Sequence, residues 1–124
     1  MLSIDLLIFM ASALTSLPPQ EAAQANAPTP IVMPYADVIA CAGVTQAMSE
    51  LEGGESEHGR RLYDAALYWS LTAIQLGQAS GRPDVRTETD MTNARIRSVR
   101  ELNRHDAKAV EHLENCIKSA PKLG

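Results

Sequence analysis

Two cysteines, Cys41 and Cys116, are the only ones in the 124-residue chain, and they stand behind an apolar N-terminus with the character of an export signal. In an exported protein, where the surroundings are oxidising, an isolated pair of this kind reads as one disulfide. That bond constrains topology strongly, because the chain must bring the two Cα atoms within about 7 Å of each other.

The export reading rests on Leu6-Leu7-Ile8-Phe9-Met10-Ala11-Ser12-Ala13-Leu14-Thr15-Ser16-Leu17, an uncharged run shorter than the roughly 20 apolar residues that span a bilayer. Pro18-Pro19 breaks any helix, and Ala23 and Ala25 then supply the small residues that a signal peptidase requires before Asn26. Cleavage after Ala27 is the alternative, but it would place Pro28 directly behind the scissile bond. The leader departs from the usual pattern in having Asp5 and no Lys or Arg. Either translation starts elsewhere or the signal is atypical; an apolar N-terminal helix packed on the domain is the competing reading. The organisation expected is a signal peptide over 1–25, a Pro-rich tether over 26–34, one helical domain over 35–119 and a short tail over 120–124. The expected location is periplasmic or secreted.

Removing 1–25 takes away Asp5 and Glu21 but no base, so the 15 acids fall to 13 against 11 Lys plus Arg. A balance of −2 argues against general capture of nucleic acid, which needs clustered positive charge. No transmembrane segment is expected after removal of the signal. A domain of this size buries only about 60–65% of the surface its unfolded chain exposes, so a crosslink adds materially to its stability.

Apolar residues within the domain recur at helical spacing, and no strand pattern appears. Cys41, Val44, Met48 and Leu51 form one stripe on a first helix over 35–52, which Gly53-Gly54 ends. In a second helix, over 56–79, Leu62, Ala66, Trp69, Ala73 and Leu76 make one stripe, and Tyr63, Leu67, Ile74 and Gly77 make another beside it. A helix apolar over most of its circumference is enclosed by neighbours, so this one is expected to be the central element. Gly81-Arg82-Pro83 stops it.

The last third admits two drawings. One is a single long helix through Val99, Leu102, Ala109, Leu113, Cys116 and Ala120, which places Asp106 in the apolar seam. With ~1.5 Å rise per residue, that helix would carry Cys116 about 8 Å above the first turn while Cys41 lies about 16 Å below it. The favoured drawing reverses the chain near Asn103-Arg104-His105-Asp106, with Asp106 capping a fourth helix. The expected fold is therefore all-α, an up-down bundle of four helices (35–52, 56–79, 86–103 and 107–119) closed by one disulfide. Three helices with a long last one is the alternative.

The span from Tyr35 to Lys118 has Cys41 early, Tyr63-Asp64-Ala65-Ala66-Leu67-Tyr68-Trp69 in the middle and Cys116 near its end. It resembles small exported bacterial helical proteins of unknown function that keep one cysteine pair. The resemblance is loose and implies no activity; it carries over only the disulfide, onto Cys41 and Cys116.

Several constellations invite a chemical reading. His112 and Cys116 stand four apart, a spacing that can place two ligands on one zinc or copper ion, with His105 seven before His112. Oxidation of Cys116 is the favoured reading, so no metal or cofactor is expected. Arg97, Arg100, Arg104 and Lys108 form a basic row that would suit a phosphate, an acidic partner or an anionic surface, although acids are interspersed along it. Glu50, Glu52, Glu55 and Glu57 cluster about the first turn beside His58 without the alternating loop of a calcium site. Ser70 sits among apolar residues as a core hydroxyl bonded to its own backbone, and Tyr63, Tyr68 and Trp69 read as core anchors. No enzyme is expected. The function expected is that of an exported interaction or structural protein of the cell envelope, with a partner the sequence does not name, and the alternative is a small-ligand or metal-binding bundle.

Overall fold

The computed structural model describes residues 33–122, which form four helices: α1 Tyr35–Glu52, α2 Glu57–Ala79, α3 Asp84–Asn103 and α4 Ala107–Ser119. The expected signal peptide, most of the tether and the last two residues lie outside the described residues. There is no strand among the described residues, and one disulfide joins Cys41 to Cys116. The bundle expected from apolar spacing is the bundle observed.

Its centre, however, is α1 and not α2. Val38, Ile39, Cys41, Ala42, Gly43, Val44, Thr45 and Ala47 are all buried, and at 100° per residue they occupy every side of the helix. Small side chains make this possible. At Gly43 an added Cβ would fall 2.5 Å from the Ala94 Cβ and 2.7 Å from the Ala94 carbonyl carbon, so α3 crosses α1 at a separation only glycine permits. The Thr45 hydroxyl, fully buried, donates to the Cys41 carbonyl at 2.7 Å and needs no other partner.

Helix α2 is correspondingly one-sided. Leu62, Ala65, Ala66, Trp69 and Ala73 are buried, whereas Tyr63, Leu67 and Leu71 are 59%, 41% and 51% exposed. The second apolar stripe expected to be covered thus splits: Gly77 is buried and Ile74 packs against the core, but Tyr63 and Leu67 face outward. Leu51, placed on the buried stripe of α1 by its spacing, is also exposed. Apolar residues in steps of three and four mark a helix, but the number of neighbours available decides which of them are covered.

The turns follow local chemistry. Ser56 caps α2, its hydroxyl accepting from the Gly59 N–H at 2.9 Å. At the end of α2, Gly81 adopts a φ of 81°, Arg82 N–H donates to the Gly77 carbonyl at 2.8 Å and Gly81 N–H to Gln78 at 3.1 Å. Helix α3 begins at Asp84, two residues earlier than expected, because the Pro83 carbonyl already accepts from Arg86 and Thr87.

The α3–α4 reversal falls where the cysteines require it. Asp106 N–H donates to Glu101 and His105 N–H to Leu102, each at 3.0 Å, with His105 at a φ of 56°. This is the same hydrogen-bond pattern that ends α2, a Schellman motif, with histidine in the position Gly81 fills there. Asp106 then caps α4, its Oδ1 accepting from Lys108 N–H at 2.9 Å and Ala109 N–H at 3.1 Å. One uninterrupted last helix is excluded. Leu102, Ala109, Leu113, Cys116 and Ala120 all reach the core, and Asp106 leaves it.

Candidate functional site

Cys41 from the middle of α1 and Cys116 from the last turns of α4 meet with Cα atoms 5.5 Å apart. Both are buried, at 4% and 2% exposure. One turn before Cys116 on the same face, His112 places Nε2 3.5 Å from the Cys116 sulfur. The two sulfurs and a His112 ring nitrogen all lie within 4.8 Å of one another. The sequence pairs His112 with Cys116 through their spacing and Cys41 with Cys116 through the expected disulfide; the fold brings all three together.

The backbone beneath this cluster is held from α2. Helix ends leave their last carbonyls without intrahelical partners, and here two side chains satisfy them. Trp69 donates its indole N–H to the Cys116 carbonyl at 2.9 Å. Arg61 donates through Nη2 to the carbonyls of Ile117 at 2.6 Å and Ala120 at 2.9 Å. A groove of about 270 Å³, lined by Met33, Asp37, Asn115 and Ser119 in addition to the three cluster residues, opens the cluster to solvent.

The basic row divides at the reversal. Arg97, Arg100 and Arg104 are exposed on α3 and its C-cap, while Lys108 is exposed in the first turn of α4. Positions 97, 100 and 104 fall within about 60° of one another around a helix axis, and so share a face. No carboxylate of the described residues lies within 4 Å of these three, whereas Arg86 pairs with Asp90 and Arg95 with Glu50, both at 3.2 Å. The acidic turn is partly paired as well, with Glu50 held by Arg95 and Glu52 lying 3.8 Å from His58 Nδ1.

A second groove, of about 340 Å³, runs between α1 and α2 and is edged by Tyr63, Leu67 and Arg95. Within it Ser70 donates to the Ala66 carbonyl at 2.6 Å, the backbone bond expected of it, and also accepts from Gln46 Nε2 at 2.6 Å; it is half-buried at the groove wall and does not belong to the core. Tyr68 packs edge-on against Trp69, with ring centroids 4.9 Å apart. Tyr63 is no core anchor; it flanks this groove. Tyr63 and Leu67, placed on a covered stripe by their spacing, form an exposed row with Leu71.

At the opposite end of α1, Tyr35 ties the helix to the α2–α3 connection. Its hydroxyl donates to Asp90 Oδ2 at 2.8 Å, and the Arg82 guanidinium stands 3.8 Å above its ring. Burial pushes the Tyr35 hydroxyl above its ordinary range; Thr87 opposes that rise and Asp90 adds to it.

These features define a class, a disulfide-closed four-helix bundle with its polar and cationic groups displayed on outer faces. No protein-family model, curated protein or solved structure matches the chain.

Proposed function

We propose that this protein is an exported binding module of the cell envelope which presents the outer face of α3 to an acidic protein partner. The observation that carries the reading is the contrast among the arginines of α3: Arg86 and Arg95 are paired with carboxylates, whereas Arg97, Arg100 and Arg104 are exposed with none within 4 Å among the described residues. The chain as a whole is acidic, at −4, so this cationic face is a local departure and not a reflection of composition. Local charge of one sign steers association with a partner of the other sign and fixes its orientation. The exposed Tyr63, Leu67 and Leu71 supply apolar surface on α2 of the kind that contacts proteins.

Export is supported by the disulfide, which persists in oxidising compartments, and by the uncharged N-terminal run. Among the described helices none is long and apolar enough to cross a membrane. A binding role is favoured over catalysis because Ser70, the hydroxyl that lines the groove between α1 and α2, is committed to Ala66 and Gln46. The core is filled by Val, Leu, Ala and Trp side chains, which favours outer-face binding over a ligand held between the helices.

The test is crosslinked capture from envelope extract with the wild-type protein and with an Arg97→Glu, Arg100→Glu, Arg104→Glu variant. The expected result is one acidic partner, retained at low salt, released by high salt and absent from the variant. Equal capture by the variant would overturn the assignment of the α3 face.

A further inference from the structure

We propose that Cys41, Cys116 and His112 constitute a redox-gated zinc site: a disulfide when oxidised, and a two-thiolate, one-imidazole chelate for Zn²⁺ when reduced. The proposal is independent of the arginine face. It starts from the cluster itself, whose three ligand atoms already lie within 4.8 Å of one another. Around one Zn²⁺, with Zn–S near 2.3 Å and Zn–N near 2.0 Å, ligand atoms stand roughly 3.5–3.8 Å apart. His112 Nε2 is 3.5 Å from the Cys116 sulfur in the oxidised protein, so that pair is already at chelating separation. Opening the disulfide lets the two sulfurs move apart to the separation required, with the Cα atoms left at 5.5 Å.

The frame is suited to hold that geometry without the S–S bond. His112 and Cys116 are consecutive turns of one helix, and the C-terminal end of that helix remains tied to α2 through Trp69 and Arg61. Cys41 is fixed at the centre of the bundle, between buried Val38 and Val44. The groove beside the cluster gives a reductant and an ion their approach, and leaves the fourth tetrahedral position to water or to a donor along that groove, where Asp37 stands one turn before Cys41. Zinc sites built from three protein ligands and one open position have this form.

The chemistry balances with an external dithiol as reductant. One of its thiolates attacks a protein sulfur to give a mixed disulfide, and its second thiol displaces the remaining bond. The dithiol leaves as a cyclic disulfide, and Cys41 and Cys116 each gain one electron and one proton. Zn²⁺ then displaces the two thiol protons to solvent and takes the lone pair of neutral His112. Two thiolates cancel the charge of the ion, which makes the chelate compatible with a buried position. Both states crosslink α1 to α4.

The full chain, reduced with a dithiol and freed of it under anaerobic conditions, is titrated with Zn²⁺ and, as a chromophoric stand-in, with Co²⁺. One equivalent is expected to bind the reduced protein, with thiolate-to-cobalt charge-transfer bands and the intense visible absorption of tetrahedral cobalt, and to raise its thermal midpoint. The oxidised protein is expected to bind none. His112→Gln leaves the disulfide intact and is expected to weaken the reduced protein's Zn²⁺ affinity at least about tenfold. Absence of binding by the reduced protein, folded or unfolded, overturns the proposal. So does binding that His112→Gln leaves unchanged, since that would be simple thiol capture.

Discussion

The indole N–H of Trp69 donates to the backbone carbonyl of Cys116 at 2.9 Å. The largest fully buried side chain of the bundle therefore also terminates its last helix. Cys116 lies among the final residues of α4, where carbonyls have no intrahelical donor, and two α2 side chains, Trp69 and Arg61, supply donors at this end. The disulfide fastens the same residue to α1. Cys116 is thus fixed by side chain to one helix and by backbone to another.

Trp69→Phe separates the hydrogen bond from much of the packing. It leaves the Cys116 carbonyl buried without a donor, at a cost of about 1–3 kcal/mol, and adds a further loss for the volume removed. Urea unfolding should show a destabilisation of at least 1 kcal/mol by this reckoning, and a change within experimental scatter would show that the bond contributes nothing.

Replacing both cysteines by alanine removes a crosslink spanning 75 residues. In the chain-entropy model this costs about 4–5 kcal/mol, equivalent to a fall of roughly 20 °C or more in Tm for a domain of this size. The unfolded chain also expands once the loop is opened, so the urea m-value is expected to rise. An unchanged m-value alongside a lowered midpoint would place the loss in native packing instead.

Gly43→Ala tests the crossing of α1 and α3. Alanine improves helix propensity by about 1 kcal/mol, and at an open site that gain would dominate. At Gly43 the new methyl meets Ala94 backbone as well as its side chain, so neither helix can yield without shifting. Overpacking costs of about 1–3 kcal/mol are typical, and the net effect expected is a lower Tm. An increase would mean that α3 moves outward freely.

How much of this was legible in the sequence depends on whether the signal was local. Asp106 is a cap because of its own side chain, so the start of the last helix could be read from a short stretch, and Gly53-Gly54 and Gly81-Arg82-Pro83 marked the other two turns in the same way. The reversal near Asn103 also followed from a distance argument, since only a returning helix brings Cys116 level with Cys41. Helix α2 has more large apolar residues and so reads as the central helix, whereas α1 is the one enclosed: Ala42, Gly43 and Ala47 let neighbours come close, and buried positions occur all round it. Burial depends on how near other helices can come, and a hydropathy pattern does not contain that distance. For the same reason Tyr63 and Leu67 could not be told from core residues. The thiol–imidazole cluster was legible in two pieces, the Cys41–Cys116 bond and the His112–Cys116 spacing, and the fold joins them at one place.

Tyr35 gives the bundle an alkaline dependence. Its hydroxyl titrates above the ordinary value of 10.0 in the folded protein, chiefly because burial disfavours the phenolate. Between the unfolded value and the raised folded one, the native state holds a proton that the unfolded chain has lost, so stability falls as pH rises through that interval. Below the unfolded value the contribution is fully present. Tyr35→Phe removes this titration along with the hydrogen bond to Asp90, and the difference in unfolding free energy between the two proteins is expected to narrow as pH rises above 10. A difference that stays constant with pH would contradict the assignment.

His105 is the only residue other than glycine with positive φ among the described residues. It occupies the left-handed position of the Schellman turn between α3 and α4, as Gly81 does between α2 and α3. A side chain with a Cβ pays roughly 1–2 kcal/mol there, whereas glycine pays only through the greater freedom of its unfolded chain. The histidine ring makes no hydrogen bond among the described residues and is exposed, so its loss removes little. His105→Gly is therefore expected to stabilise the protein by about 1 kcal/mol, and His105→Val, whose branched Cβ tolerates positive φ least, to destabilise it by a similar amount or more. Opposite signs for the two substitutions in one thermal or urea series would establish that the turn stores strain. Destabilisation by glycine would show instead that the His105 side chain contributes to holding the reversal on which the alignment of Cys41 and Cys116 depends.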